Sequence, residues 1–128
     1  MLENVFYKII NYETFSENGY AGSFNINSTI VFNQDHSIFK GHFPDLPVVP
    51  GVCMIQIIKE LTEKYLKKHI TLKSASNTKF LKVINPEITV NILIDCDFLD
   101  IEIVKIKAKI SNNEHIYMTF QGKLLLEA

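Results

Sequence analysis

The chain contains no arginine; all 13 of its Lys and Arg residues are lysine. That removes the side chain that grips phosphate or carboxylate with two parallel hydrogen bonds. Charge of one sign is lacking too. The formal net charge is -1, so no global field draws the protein to nucleic acid or to a membrane surface. Cysteine is scarce. Cys53 and Cys96 stand 43 residues apart, which is neither a metal-ligand spacing nor a disulfide framework. Both lie in apolar contexts and read as small buried hydrophobes in a reducing compartment. No apolar run approaches the ~20 residues of a membrane-spanning helix. The opening stretch MLENVFYKIINYE carries Glu3 early, has no basic region and shows no small-residue cleavage site, so it does not read as a signal peptide. The cytoplasm is the expected location. There is no internal repeat, no low-complexity tract and no linker.

What remains is 128 residues, suited to one domain spanning 1–128. Hydrophobic content is 47% and mean hydropathy is +0.10, rich for a small soluble monomer. An oligomer is therefore expected. Residues 2–12 and 22–33 are rich in β-branched and aromatic side chains, with turn chemistry in SENG (16–19) between them. Phe24, Ile26, Ser28, Ile30 and Phe32 alternate as in a half-buried strand. A helix should start around Pro50, which has a preset φ and no N–H to leave unpaired. Its apolar side holds Val52 to Ile55, Ile57, Ile58, Leu61, Tyr65 and Leu66. Its polar stripe is Gln56, Lys59, Glu60, Glu63 and Lys67. The helix start should be buried nearly all round and the rest wetter, with the end near KKHITL (67–72).

From residue 73 onward strand patterns return, with alternation at Ile88, Val90, Ile92 and Ile94. DFLD (97–100) and SNNEH (111–115) read as turns. Lys105, Lys107 and Lys109 oppose Ile106, Ala108 and Ile110. Their parity differs from that of Ile101 and Ile103, which predicts a bulge near Val104. Ile116, Met118, Phe120, Gly122 and Leu124 form a last alternation. The expected class is α+β, an antiparallel sheet wrapped on one helix.

The stretch GHFPDLPVVPGVCMIQ (41–56) concentrates the chemistry. Pro44, Pro47 and Pro50 recur at three-residue intervals, and each stiffens its own residue and the one before it. Such a frame can aim His42 and the helix start at one point. Gly51 would offer a bare backbone N–H at the positive end of the helix. An imidazole beside such an N–H suits proton removal next to a carbonyl, with the N–H holding the developing oxyanion. On spacing alone, a loop histidine in a proline turn remains open as well. His36, His69 and His115 sit in polar turn or helix-end contexts and read as solvated. No pair of histidines has metal-ligand spacing on one element.

This stretch resembles the signature of the hot-dog-fold 3-hydroxyacyl-[acyl-carrier-protein] dehydratases of type II fatty acid synthesis. The resemblance runs through Gly41, His42, Phe43, Pro44, Pro47, Val48, Pro50, Gly51 and Val52. It continues more weakly in NQDHSIFK and in KFLKVINPE (79–87). It implies a long central helix wrapped by an antiparallel sheet, a dimer or higher oligomer, and no cofactor or metal. It implies His42 as the base at C2, Gly51 as the donor to the thioester carbonyl, and an apolar acyl tunnel at the dimer interface. Phe43, Val48, Pro50, Phe80 and Leu81 are the candidate lining. The acidic carrier protein would need a basic rim, for which Lys40, Lys79 and Lys82 are candidates.

Gln56 departs from that family, which has a glutamate or aspartate there. An amide has no proton to give near neutral pH, but its NH₂ can donate and orient. Losing a positioned acid costs ~10²–10⁴ in rate. Either Gln56 is only the first member of the polar stripe and the site has decayed, or it assists while His42, or a companion subunit, supplies the proton. Glu60 lies about 6 Å further along the helix and reads as a poor substitute. Glu87, where the family has glycine, puts the turn into the next strand in question. The expected activity is dehydration of a (3R)-3-hydroxyacyl thioester to the trans-2-enoyl thioester. The rivals are a thioesterase and a non-catalytic acyl-binding subunit, alone or in a hetero-oligomer.

Overall fold

A computed structural model describes residues 1–16, 22–41 and 45–127. Its strands follow the alternations in the sequence. β1 (Tyr7–Ser16) pairs with β2 (Ser23–Phe32), and β2 turns Phe24, Ile26, Ser28, Ile30 and Phe32 into the core. Ser28, the polar member of that face, is satisfied: its hydroxyl donates to the Asn11 carbonyl at 2.8 Å, beside a β1 bulge between Ile9 and Asn11. The expected turn in SENG falls mostly outside the described residues. α1 (Ile38–Gly41) is a single turn absent from the sequence reading. It buries Phe39 against Phe6, with the two rings stacked at 5.4 Å.

α2 (Gly51–Leu66) follows, then β3 (Ile70–Phe80), β4 (Val90–Phe98), β5 (Ile103–Ser111) and β6 (Ile116–Leu126). The strands form a six-stranded antiparallel sheet in the order β1-β2-β4-β5-β6-β3. α2 lies against its inner face. Tyr12 of β1 donates its hydroxyl to the Leu61 carbonyl at 2.7 Å, and Phe24 of β2 stacks on Tyr65 at 4.1 Å. Met54, Ile57, Ile58 and Leu61 meet Ile26, Ile30, Ile92, Ile94, Ile106 and Phe120 in one buried core. The α+β expectation, a sheet around one helix, holds. Both cysteines are buried and free. α2 stops where Lys67 takes a left-handed conformation (φ 56°) and returns its N–H to the Glu63 carbonyl at 2.7 Å.

Four sequence expectations shift. First, no bulge occurs near Val104, because the β4–β5 register runs unbroken from Phe98↔Val104 to Asn91↔Ser111. The change of parity is made in the turn instead. Ile101 is 89% exposed there, and the Asp100 carboxylate accepts the N–H groups of Glu102 and Ile103 at 2.7 and 2.9 Å. Asp97 and Phe98, read as turn, still belong to β4. Second, β3 begins at Ile70 and is exposed along nearly its whole length, as befits a strand at the sheet's edge. Third, the helix is most buried in its middle rather than at its start: Val52 is 74% exposed while Ile57 and Leu61 are fully covered. β1 and β2 reach the helix at Glu60, Leu61 and Tyr65, while in the first turn Cys53 and Met54 are buried and Val52 faces outward. Fourth, Glu87 does not disturb the turn before β4. The Asn85 side chain accepts the Glu87 N–H at 2.8 Å, and the Asn85 carbonyl accepts that of Ile88 at 3.1 Å.

Candidate active site

The proline frame ends on α2. Pro50 is the N-cap, extended at φ -63° and ψ 144°, and its carbonyl accepts the N–H groups of Cys53 and Met54 at 3.0 and 3.2 Å. Gly51 is the first helical residue, and a helix's first N–H groups have no partner within the helix. The β3–β4 connection is laced beside it. Leu81 and Lys82 send their N–H groups to the Tyr117 carbonyl at 2.8 and 3.2 Å, while Val49 sends its own to Ile84 at 2.8 Å. These bonds hold Phe80 over the helix start. A Cβ added at Gly51 would meet the Phe80 ring at 2.8 Å, so glycine here is a matter of space. Two proposed site residues, Gly51 and Phe80, are thus in direct apposition.

His42, Phe43 and Pro44 lie outside the described residues. Val48 and Pro50 are half-buried, and Phe80 and Leu81 are half-exposed at 52% and 53%. Lys79 and Lys82 flank the Phe80–Leu81 pair, and Lys40 lies on α1; all three are exposed. Open clefts of about 570 Å³ (Thr29, Asn91, Ser111, Asn112) and about 480 Å³ (Leu66, Phe98, Ile101, Leu126) share no lining residue with Gly51, Gln56 or Phe80. His69 and His115 are exposed, as expected. His36 is not simply solvated: it is half-buried, accepts the Ile38 N–H on Nδ1 at 3.1 Å, and meets the Phe6 ring edge-on. Among the described residues, no group of three or more His, Cys, Asp or Glu side chains could hold a metal ion.

Glu60 overturns the reading of the polar stripe. It is only 4% exposed. Its carboxylate accepts four hydrogen bonds: from Leu2 N–H (2.7 Å), Glu3 N–H (3.0 Å), the Tyr7 hydroxyl (3.0 Å) and Gln56 Nε2 (2.9 Å). Burial alone would push its carboxyl up. The bonds from Gln56, Leu2, Glu3 and Tyr7 outweigh that and hold it below the usual carboxylate range. Tyr7 moves the other way, raised by its own burial and by the Glu60 charge and hydrogen bond. A carboxylate flanked by donors also fixes the amide of Gln56, because an amide oxygen turned towards it would be repelled. Gln56 therefore turns its nitrogen to Glu60 and its oxygen away. The Gln56/Glu60 spacing of i, i+4 was visible in the sequence. So was the helix face that Glu60 shares with Cys53 and Ile57, both buried here. The N-terminal donors were not visible, since a turn of residues 1–6 brings them.

A single helix cradled by an antiparallel sheet is the hot-dog architecture, and solved structures of that class superpose on this chain. The dehydratase heterocomplex ApeI:P from Xenorhabdus doucetiae matches with a TM-score of 0.64 at 17% identity, covering 91% of this chain and 96% of the other. A thioesterase-class protein, yhdA from Lactococcus lactis, matches at 0.68 and 12% identity, covering 94% of both chains. At such identities these likenesses establish the fold. Sequence establishes the family. The ApeI-like family, described as ApeI dehydratase, matches residues 19–121, and the chain belongs to it. The 3-hydroxyacyl-[acyl-carrier-protein] dehydratase FabZ of Clostridium acetobutylicum is 33% identical over 106 residues, covering 77% of this chain and 68% of that relative. The FabZ of Rickettsia typhi is 36% identical over 62 residues, covering 42% of this chain and 43% of its own length.

Proposed function

We propose that this chain removes water from a (3R)-3-hydroxyacyl thioester carried on an acyl carrier protein, leaving the trans-2-enoyl thioester. The observation that carries this reading is the GHFPDLPVVPG frame ending with Gly51 as the first residue of α2. His42 takes a proton from C2, and the electron pair moves into the thioester carbonyl. The resulting oxyanion is held by the Gly51 N–H at the positive end of α2. As the carbonyl re-forms, the C2=C3 double bond forms and the C3–O bond breaks. The proton on the His42 imidazolium goes to the departing hydroxide, so one water leaves and no other reactant is consumed. Phe43, Val48, Pro50, Phe80 and Leu81 line the acyl chain, and Lys40, Lys79 and Lys82 face the acidic carrier protein.

The working unit is at least a dimer. The exposed Val52 at the start of α2 and the half-exposed Phe80 and Leu81 support this. Because Gln56 cannot donate an acid proton, a companion hot-dog subunit is the natural alternative source. The FabZ relatives named for carrier-protein substrates, and the heterocomplex among the structural neighbours, favour these two partners. A thioesterase reading fits the residues less well. Of the α2 carboxylates, Glu60 already accepts four hydrogen bonds and has little left for a nucleophilic role, and Glu63, near the helix end, accepts the Ile70 N–H at 2.9 Å. The test is to incubate the purified protein with 3-hydroxyacyl carrier protein and follow loss of one water by mass spectrometry, alone and with any companion subunit. No turnover in either format overturns the reading, and release of free thiol would favour the thioesterase.

A further inference from the structure

Glu60 is a buried carboxylate that the reaction above does not use. It sits one turn from the position where an acid is missing, and it touches the residue that stands there. We propose that Glu60 is a positioning residue: its carboxylate holds the Gln56 amide so that the amide oxygen, and not its nitrogen, meets the substrate. This deepens the dehydratase reading and rests on it. A glutamine free to rotate could present either end to a 3-hydroxyl. Here one N–H is engaged at 2.9 Å by an oxygen that carries charge, and charge-assisted bonds are the strong ones. Glu60 is itself held by the Leu2 and Glu3 N–H groups and the Tyr7 hydroxyl, so its rotamer is fixed before substrate arrives. The exposed amide oxygen accepts a hydrogen bond from the substrate's 3-hydroxyl and orients the C3–O bond. It gives no proton, so the hydroxide leaves with the proton His42 has taken. The pair therefore supplies geometry where a free acid would supply geometry and a proton.

The pairing predicts behaviour that a merely structural carboxylate would not show. Glu3 and Tyr7 face Glu60 from the N-terminal segment and β1. Glu63, Lys64 and Lys67 of α2, with Lys68 and His69 beyond its end, border the adjoining cleft. None of these is a proposed site residue; Gln56, bonded to Glu60 at 2.9 Å, links it to the reaction. In nitrogen-15 spectra, the Gln56 side-chain amide should titrate with Glu60 in the acid range. That shift should vanish in Glu60→Gln. With 3-hydroxyacyl carrier protein as substrate, Glu60→Gln should lower kcat about tenfold with KM unchanged, the mark of misorientation rather than lost binding. The double variant Gln56→Glu with Glu60→Gln restores one amide–carboxylate bond in reverse polarity. It should recover the stability lost by either single change, which reads the bond apart from any acid that Gln56→Glu supplies.

An unchanged kcat in Glu60→Gln, or a Gln56 amide indifferent to pH, overturns the proposal. So does a double variant no more stable than the singles, which also covers the case in which a single variant fails to fold. A wild-type protein that leaves every 3-hydroxyacyl thioester intact overturns the proposed function instead, and the amide titration then decides the pairing by itself.

Discussion

Around Glu60, α2 is closed. The carboxylate has four donors, its neighbours Ile57 and Leu61 are fully covered, and β1 and β2 both reach it through side chains. Around Gly51 the same helix is open. Val52 is 74% exposed, Phe80 is half-exposed, and the first N–H groups have no helical partner. The closed region is satisfied within one chain; the open one presents apolar surface and the first backbone N–H groups of the helix, which suit a substrate or a second subunit. The satisfied region and the candidate catalytic region thus lie little more than two turns apart on one helix, and the Gln56–Glu60 bond joins them. Variants at the two ends should separate in the same way.

The largest effect belongs to the candidate base. His42→Ala should lower dehydration by ~10²–10⁴, the usual contribution of a positioned acid–base group, and leave the melting temperature where it was. Turnover by mass spectrometry and a thermal scan read the two halves. A variant that melts early while retaining activity would assign His42 to structure and erase the contrast.

At the closed end the signs reverse. Glu60→Ala strands Leu2 N–H, Glu3 N–H, the Tyr7 hydroxyl and the Gln56 amide at once. Each buried unsatisfied group costs about 1–3 kcal/mol, and because water reaches some of them the total should be about 3 kcal/mol rather than the sum. Urea unfolding measures it, and a loss under about 1 kcal/mol would mean that water replaces the carboxylate without penalty. A smaller effect follows from pH. The folded Glu60 carboxyl is held below its unfolded value of about 4.3. Its contribution is therefore complete above that value and is lost as pH falls through the lower, folded one. The stability gap between wild type and Glu60→Gln should be constant near neutrality and shrink in acid. A gap that widens in acid would reverse the sign assigned here.

The same contrast explains what could be read from the residues alone. Strands with one buried face announce themselves by alternation, as β2, β4, β5 and β6 do. β3 does not, because ITLKSASNTKF is exposed on both faces at the sheet's edge and no burial imposes a period. The place of Gly51 was legible because it is local: Pro50 caps the helix and Gly51 is its first residue. Glu60 was misread because a charged residue between two lysine-bearing turns looks solvated. What buries it is a chain segment 57 and 58 residues distant in sequence, and no spacing rule encodes that contact. The expected bulge near Val104 failed for a related reason: parity can change in a turn, where Asp100 absorbs it without disturbing any ladder.

The smallest predicted effect tests where the two regions meet substrate. Gly51→Ala would put a Cβ 2.8 Å from Cζ and 2.9 Å from Cε1 of Phe80. Those atoms are the far end of a half-exposed ring, so the ring can swing outward, and the stability change should stay within about 1 kcal/mol. The displaced ring would change the walls around the Gly51 N–H, so turnover should fall several-fold even though that N–H remains. Phe80→Ala removes the clash in advance. In that background Gly51→Ala should have almost no further effect on turnover, and the departure from additivity measures the coupling. Equal penalties in both backgrounds would show that the added methyl acts on the N–H itself, and Phe80 would then be a bystander to the helix start rather than part of its pocket.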